Sequence, residues 1–128
     1  MHDALNELEK TALKKALEGS ALWLETLRGQ LPHLRVKARM YTRAGGYTDL
    51  VVDSAVEPAS IPQGDRDYPS VTVVHHPLLV HGGAFIVWTK DGVINLLEAN
   101  ADGDGVWPVG REAHLEEFTF SKPEVARR

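Results

Sequence analysis

At Leu34 the spacing of apolar residues changes from three-and-four to two, and that switch limits what the chain can fold into. Upstream, Leu5, Leu8, Ala12, Leu13, Ala16 and Leu17 recur at helical spacing between Asp3 and Glu18, which predicts one helix with Asp3 as its N-cap. Gly19 stops it, because glycine accepts the left-handed conformation found at helix C-termini. Ser20 is positioned to cap a second helix carrying Leu22, Trp23, Leu24, Leu27 and Leu31, ended by Pro32. Downstream, Val36, Ala38, Met40 and Thr42 alternate with Arg35, Lys37, Arg39, Tyr41 and Arg43, the pattern of a half-buried strand.

Parity selects the first turn. A three-residue loop, Ala44 to Gly46, pairs Met40 with Leu50 and Ala38 with Val52 on the core face. It also sets Lys37 opposite Asp53 and Tyr41 opposite Asp49 on the wet face. A two-residue Gly45-Gly46 loop would instead put Asp49 and Asp53 inside, so the longer loop is expected. Glu57 to Pro69, with Pro58, Pro62 and Gly64, reads as a surface loop, and Ser70 to His75 as a short central strand. Ala84 to Lys90, Asp91-Gly92 and Val93 to Glu98 spell a tight hairpin, since Asp-Gly supplies the positive φ angles of a primed turn. A last strand is expected from His114 to Phe120.

These elements amount to an α+β fold: an N-terminal helix pair packed on one face of a five- to six-stranded, mostly antiparallel sheet. The 128 residues suit a single domain, helical over 1–31, sheet over 34–120 and tail over 121–128. A two-residue Asp91-Gly92 turn places Phe85, Val87, Ile94 and Leu96 on one side of the central hairpin. Ile86, Trp88 and Leu97 then share the other side with Asn95. Helices cover only one side of a single sheet, so the second side carries apolar surface for a partner or for the chain's own copy.

Several functions are excluded or disfavoured. Without cysteine there is no disulfide, thiolate zinc site or cysteine nucleophile. The net charge of -4 opposes broad nucleic-acid binding and favours a basic partner. No stretch approaches the roughly 20 apolar residues of a membrane span, and Met1 to Glu7 lacks the basic and apolar run of a secretory signal. A cytoplasmic location is expected.

Candidate sites weigh against their structural readings. Asn100, Asp102, Asp104 and Gly105 mimic the start of a calcium loop, but Arg111 stands where a bidentate Glu is needed, so an Asp/Gly turn is preferred. His75 and His76 point to opposite strand faces, and His76 with His81 lacks a third ligand. These, like His33 and His114, are read as structural or solvated, and no metal or cofactor is assigned. Arg35, Lys37, Arg39 and Arg43 form a basic ridge best explained by pairing with Asp49, Asp53, Glu116 or Glu117. No nucleophile elbow, phosphate loop or carboxylate pair supports catalysis, so no catalytic residue is assigned.

The run His81 to Glu98, with Gly82-Gly83-Ala84-Phe85, Asp91-Gly92 and Leu97-Glu98, followed by Trp107-Pro108, resembles a group of small bacterial proteins with an HGAGF…DG…LE hairpin and a Trp-Pro after it. The resemblance extends to Leu24–Leu31 and Val36–Thr42, and departs at Gly83 and in the Asn100–Gly105 loop, where that group tends to carry aromatic residues. It brings no catalytic residues and implies a role like that of immunity partners of bacterial toxins. The expected function is therefore non-enzymatic protein binding, as a toxin-neutralising immunity protein or an effector chaperone. Its binding residues are expected to be Ile86, Trp88, Asn95, Leu97, Glu98, Asp102, Asp104 and Trp107. The alternative is a small ligand-binding protein or hydrolase with a pocket between the sheet and the 99–113 loop, gathering His81, Glu98, Asn100 and Trp107.

Overall fold

The structure is a computed structural model that describes residues 3–62 and 70–123. The first helix, α1 (Glu7–Ala16), starts later than the apolar stripe suggests. Asn6, not Asp3, is its N-cap: the Asn6 side chain accepts the Glu9 N–H at 2.8 Å, and the Glu9 carboxylate accepts the Asn6 N–H at 2.9 Å. That reciprocal pair satisfies two helix-start donors at once, which Asp3 has no spacing to do. Asp3 instead exchanges main-chain hydrogen bonds with Val36, tying the N-terminal segment to the sheet edge. The second helix, α2 (Leu22–Gln30), is capped by Ala21 without a side-chain bond, so Ser20 does not cap it. Pro32 then sits in one turn of 3-10 helix, Leu31–His33.

Six strands follow: β1 (Leu34–Thr42), β2 (Gly45–Val52), β3 (Ser70–His75), β4 (Gly83–Lys90), β5 (Val93–Ala101) and β6 (Thr119–Ser121). They form one sheet in the order β1-β2-β5-β4-β3-β6, every pair antiparallel. Both helices pack on one face, α1 against β3, β4 and β6, and α2 against β5. Between them lies the core, with Leu13, Leu17, Leu27, Phe85, Val87, Ile94 and Leu97 essentially sealed from solvent. Buried Gln30 locks α2 to the central hairpin: its amide donates to the Glu57 and Gly92 carbonyls and accepts the Ile94 N–H, each at 2.9 Å. No helix among the described residues is long and apolar enough to cross a membrane.

Three sequence expectations are corrected. The β1–β2 connection is a two-residue turn, Arg43-Ala44, closed by the Thr42–Gly45 pair, rather than a loop of Ala44 to Gly46. An alanine at Gly45 would put its Cβ 1.9 Å from the Ala99 carbonyl oxygen, and the φ of +137° is open mainly to glycine. A bulge at Lys37 inserts one unpaired residue, so Val36 still faces Leu50 inside while Arg39 and Tyr41 turn inward after it. Ala38 and Met40, expected in the core, therefore lie outside, and Met40 is 66% exposed. The last strand is also shorter than expected. Residues 115–117 turn into a 3-10 helix, with the Glu117 N–H bonded to the His114 carbonyl, and only Thr119–Ser121 pairs with β3.

The central hairpin forms as expected, with Asp91 at φ 52° and Gly92 at φ 78°. Its faces are not quite as expected, because the register shifts beyond Trp88 and leaves Asn95 without a partner in β4. Phe85 and Val87 pair with Ala99 and Leu97, whereas Ile86 and Trp88 pair with Glu98 and Leu96. Leu97 thus belongs to the core and Leu96 to the outer face, the reverse of a bulge-free count. The expected tail over 121–128 is described only to Pro123, and residues 63–69 of the expected loop lie outside the described residues.

Candidate functional site

The face of the sheet opposite the helices is built by alternation along five strands. Val71 and Val73 of β3 stand beside Ile86 and Ala84 of β4. Ile86 and Trp88 then stand beside Glu98 and Leu96 of β5, and these beside Tyr47 and Asp49 of β2, with Met40 and Ala38 of β1 completing the row. The valines, Ile86, Trp88 and Leu96 are half-buried, while Met40 and Tyr47 are exposed. Both helices contact the sheet from the other side. At the centre of the face the Trp88 indole N–H donates to Glu98 Oε1 at 2.9 Å. Asp49 is a second acid on the same face, beside Leu96.

Of the residues expected to bind, Ile86, Trp88 and Glu98 come together here. Leu97 does not, because it is fully buried under the helices. Trp107 is also a core residue, 2% exposed, stacked edge-on against Phe85 at 5.2 Å. Its indole is drawn in by main-chain pairing, the Trp107 N–H donating to the Arg43 carbonyl at 2.7 Å. Asn95 is exposed at the bulge, near the Asp91-Gly92 turn, and Asp102 and Asp104 sit beyond the opposite end of β5. Leu96, Met40, Tyr47, Val71 and Val73 were missed. For Leu96 the missing signal was the bulge at Asn95, and for Met40 the bulge at Lys37, neither of which a side-chain pattern announces.

A polar network fills the helix side near β1. Glu9, almost fully buried, receives Arg39 Nε and Nη2, both at 2.8 Å, and the Thr48 hydroxyl at 3.1 Å. With the Asn6 N–H, the carboxylate is saturated. Glu9 holds the Arg39 guanidinium more firmly protonated than usual. Burial raises the Tyr41 phenol, and Thr48, whose own proton is committed to Glu9, accepts from the Tyr41 hydroxyl at 3.3 Å. A cleft of about 270 Å³ opens beside this network, lined by Arg39, Tyr41, Phe85, Trp107 and Glu112. It lies between the sheet and the 99–113 loop, through Trp107 and Glu112, but of the four residues expected to gather there only Trp107 lines it. His81 bonds Asp104 at 2.8 Å and Glu98 bonds Trp88 at 2.9 Å.

The histidines find separate partners. His76 is buried, its Nε2 2.9 Å from Glu117 and its Nδ1 accepting the Leu78 N–H at 3.0 Å. Because Nδ1 accepts, Nε2 carries the proton and donates to Glu117. Glu117 also binds the Arg111 guanidinium through both oxygens, which, with His76, pulls its carboxyl down to about 2. Ligand atoms of His114, Glu116 and Glu117 lie within 4.8 Å of one another, yet Arg111 already occupies Glu117 as the cation there. Of the basic ridge, Arg35 pairs with Asp53 at 2.9 Å, as its cross-strand reading requires, and Arg39 pairs with Glu9 instead. No family model, curated protein or solved structure matches the chain.

Proposed function

We propose that the chain is a non-enzymatic binding protein that docks a protein partner on the open face of its sheet. The observation that carries this reading is the row Val71, Ile86, Trp88, Leu96 and Met40, which lies opposite both helices and is covered by no helix or strand among the described residues. An aromatic anchor ringed by apolar and then charged residues is the usual anatomy of a protein interface. Glu98 and Asp49 give that face acidic groups, and the chain's net charge of -4 would speed encounter with a basic partner.

The resemblance carried by residues 81–98 favours a bacterial setting and a toxin as the partner, neutralised in the cytoplasm by this chain as its immunity protein. Chaperoning of a secreted effector is the other form of the same role. The test is a pull-down from the source cell with wild type and with the double variant Trp88→Ala/Leu96→Ala as baits, both checked for folding by circular dichroism. A protein retained by wild type and lost with the variant is the expected result. Equal retention by both, or retention of nothing, overturns the reading.

A further inference from the structure

We propose that a groove between α1 and the start of β1 binds a single-chain anionic amphiphile, an alkyl chain ended by a carboxylate. The groove encloses about 440 Å³, within the range of roughly 300–1,000 Å³ that small-ligand sites occupy. Leu5, Leu13, Leu31 and Leu34 form its apolar wall, Leu13 and Leu34 buried and Leu5 and Leu31 half-buried. Ala4 and Leu5 bring the N-terminal segment in as one side, held by the hydrogen bonds between Asp3 and Val36.

Its charge is what selects the ligand. Among the described residues Lys10, Lys14 and Arg35 line the groove and no Asp or Glu does, in a chain where acids outnumber bases 18 to 14. Lys10 and Lys14 lie one helical turn apart on α1 and repel each other. Lys14 has no ion pair among the described residues. Among the described residues Lys10 has only a long 3.5 Å contact to exposed Glu7, and Arg35 pairs with Asp53 at a site open to water. A carboxylate head between the two ammonium groups would relieve that repulsion, and an alkyl tail would cover Leu5 and Leu31, the two leucines that keep exposed surface. At about 440 Å³ the groove has room for a single alkyl chain but not for a docked helix, which needs a longer and flatter apolar track.

The test is an amide NMR titration of the full chain with laurate, held below its micelle concentration. Acetate and dodecyltrimethylammonium serve as controls for head and tail, alongside the exposed double variant Lys10→Glu/Lys14→Glu. Expected are saturable one-to-one shifts at Leu5, Leu13, Lys14 and Leu31 with laurate, and none with acetate. The cationic amphiphile and the double variant should each weaken binding about tenfold or more, the scale of one charge-assisted hydrogen bond. Any of the following overturns the proposal: no saturable shift, shifts centred on Trp88, equal binding of the cationic amphiphile, or an unaffected double variant. Tighter binding by an acidic amphipathic peptide in the same groove would also overturn it, in favour of a protein ligand.

Discussion

At the scale of single residues, two carboxylates define how the helix side is held. Glu9 is buried with its charge answered by Arg39 and its remaining lone pairs by Asn6 and Thr48. Removing one partner of such a pair leaves the other stranded, so Glu9→Ala is expected to cost about 2–4 kcal/mol in chemical denaturation. Glu9→Leu/Arg39→Met should recover only part of that loss, because it removes both charges but leaves the Thr48 hydroxyl and the Asn6 N–H without their acceptor. Glu117 works through pH. Its carboxyl is held at about 2 against an ordinary 4.5, chiefly by Arg111 and then by His76. A carboxyl whose folded pKa is depressed contributes stability above its unfolded value and loses it as pH falls. Stability should therefore decline between pH 4.5 and 2, and Glu117→Gln should flatten that part of a denaturation-midpoint profile against pH. Neither role was legible beforehand. Glu9 looks like one acid on a solvated helix face, and only the fold brings Arg39 over it from 30 residues away.

At the scale of elements, caps and turns decide boundaries that periodicity leaves open. The apolar stripe from Leu5 to Leu17 reveals α1, but the Asn6–Glu9 box sets its first residue. Asn6→Ala should cost about 1 kcal/mol, whereas Ser20→Ala should change stability by less than about 0.5 kcal/mol, since Ser20 caps nothing. Two glycines should respond in opposite directions. Gly29 sits in α2 with nothing within 4 Å of an added Cβ, so Gly29→Ala should stabilise by about 0.5–1 kcal/mol. Gly45→Ala places its Cβ against the Ala99 carbonyl at a positive φ and should cost more than about 2 kcal/mol. Thermal melts of the pair give both signs at once. The Asp91-Gly92 turn, by contrast, was fully readable, because its positive φ angles are a local demand met by local residues.

At the scale of the whole molecule, the question is which side of the sheet lies under the helices. Adjacent leucines answer it. Leu97 is fully buried and Leu96 faces outward, so Leu97→Ala should cost about 2–5 kcal/mol by denaturant titration and Leu96→Ala about 1 kcal/mol or less. The opposite order would reverse the faces and remove the open surface on which the docking proposal stands. The layered architecture itself was expected: a helix pair on one side of an antiparallel sheet. Which residues occupy the open side was only half expected. Ile86, Trp88 and Glu98 are there, while Leu97 and Trp107 went into the core and Met40 came out of it.

Whatever depends on neighbours a few residues apart, the sequence by itself determined: two helices, the strands and their antiparallel succession, the tight central turn, and an apolar excess too large for one side of the sheet. Tertiary structure alone decided the strand order, the two bulges at Lys37 and Asn95, and the Glu9–Arg39 pair. The physical reason is that side-chain alternation has a period of two, so one inserted residue exchanges the faces beyond it. That insertion is selected by packing and hydrogen bonds to distant segments, as Glu9 draws in Arg39 and Arg43 receives Trp107, and no local pattern records those partners.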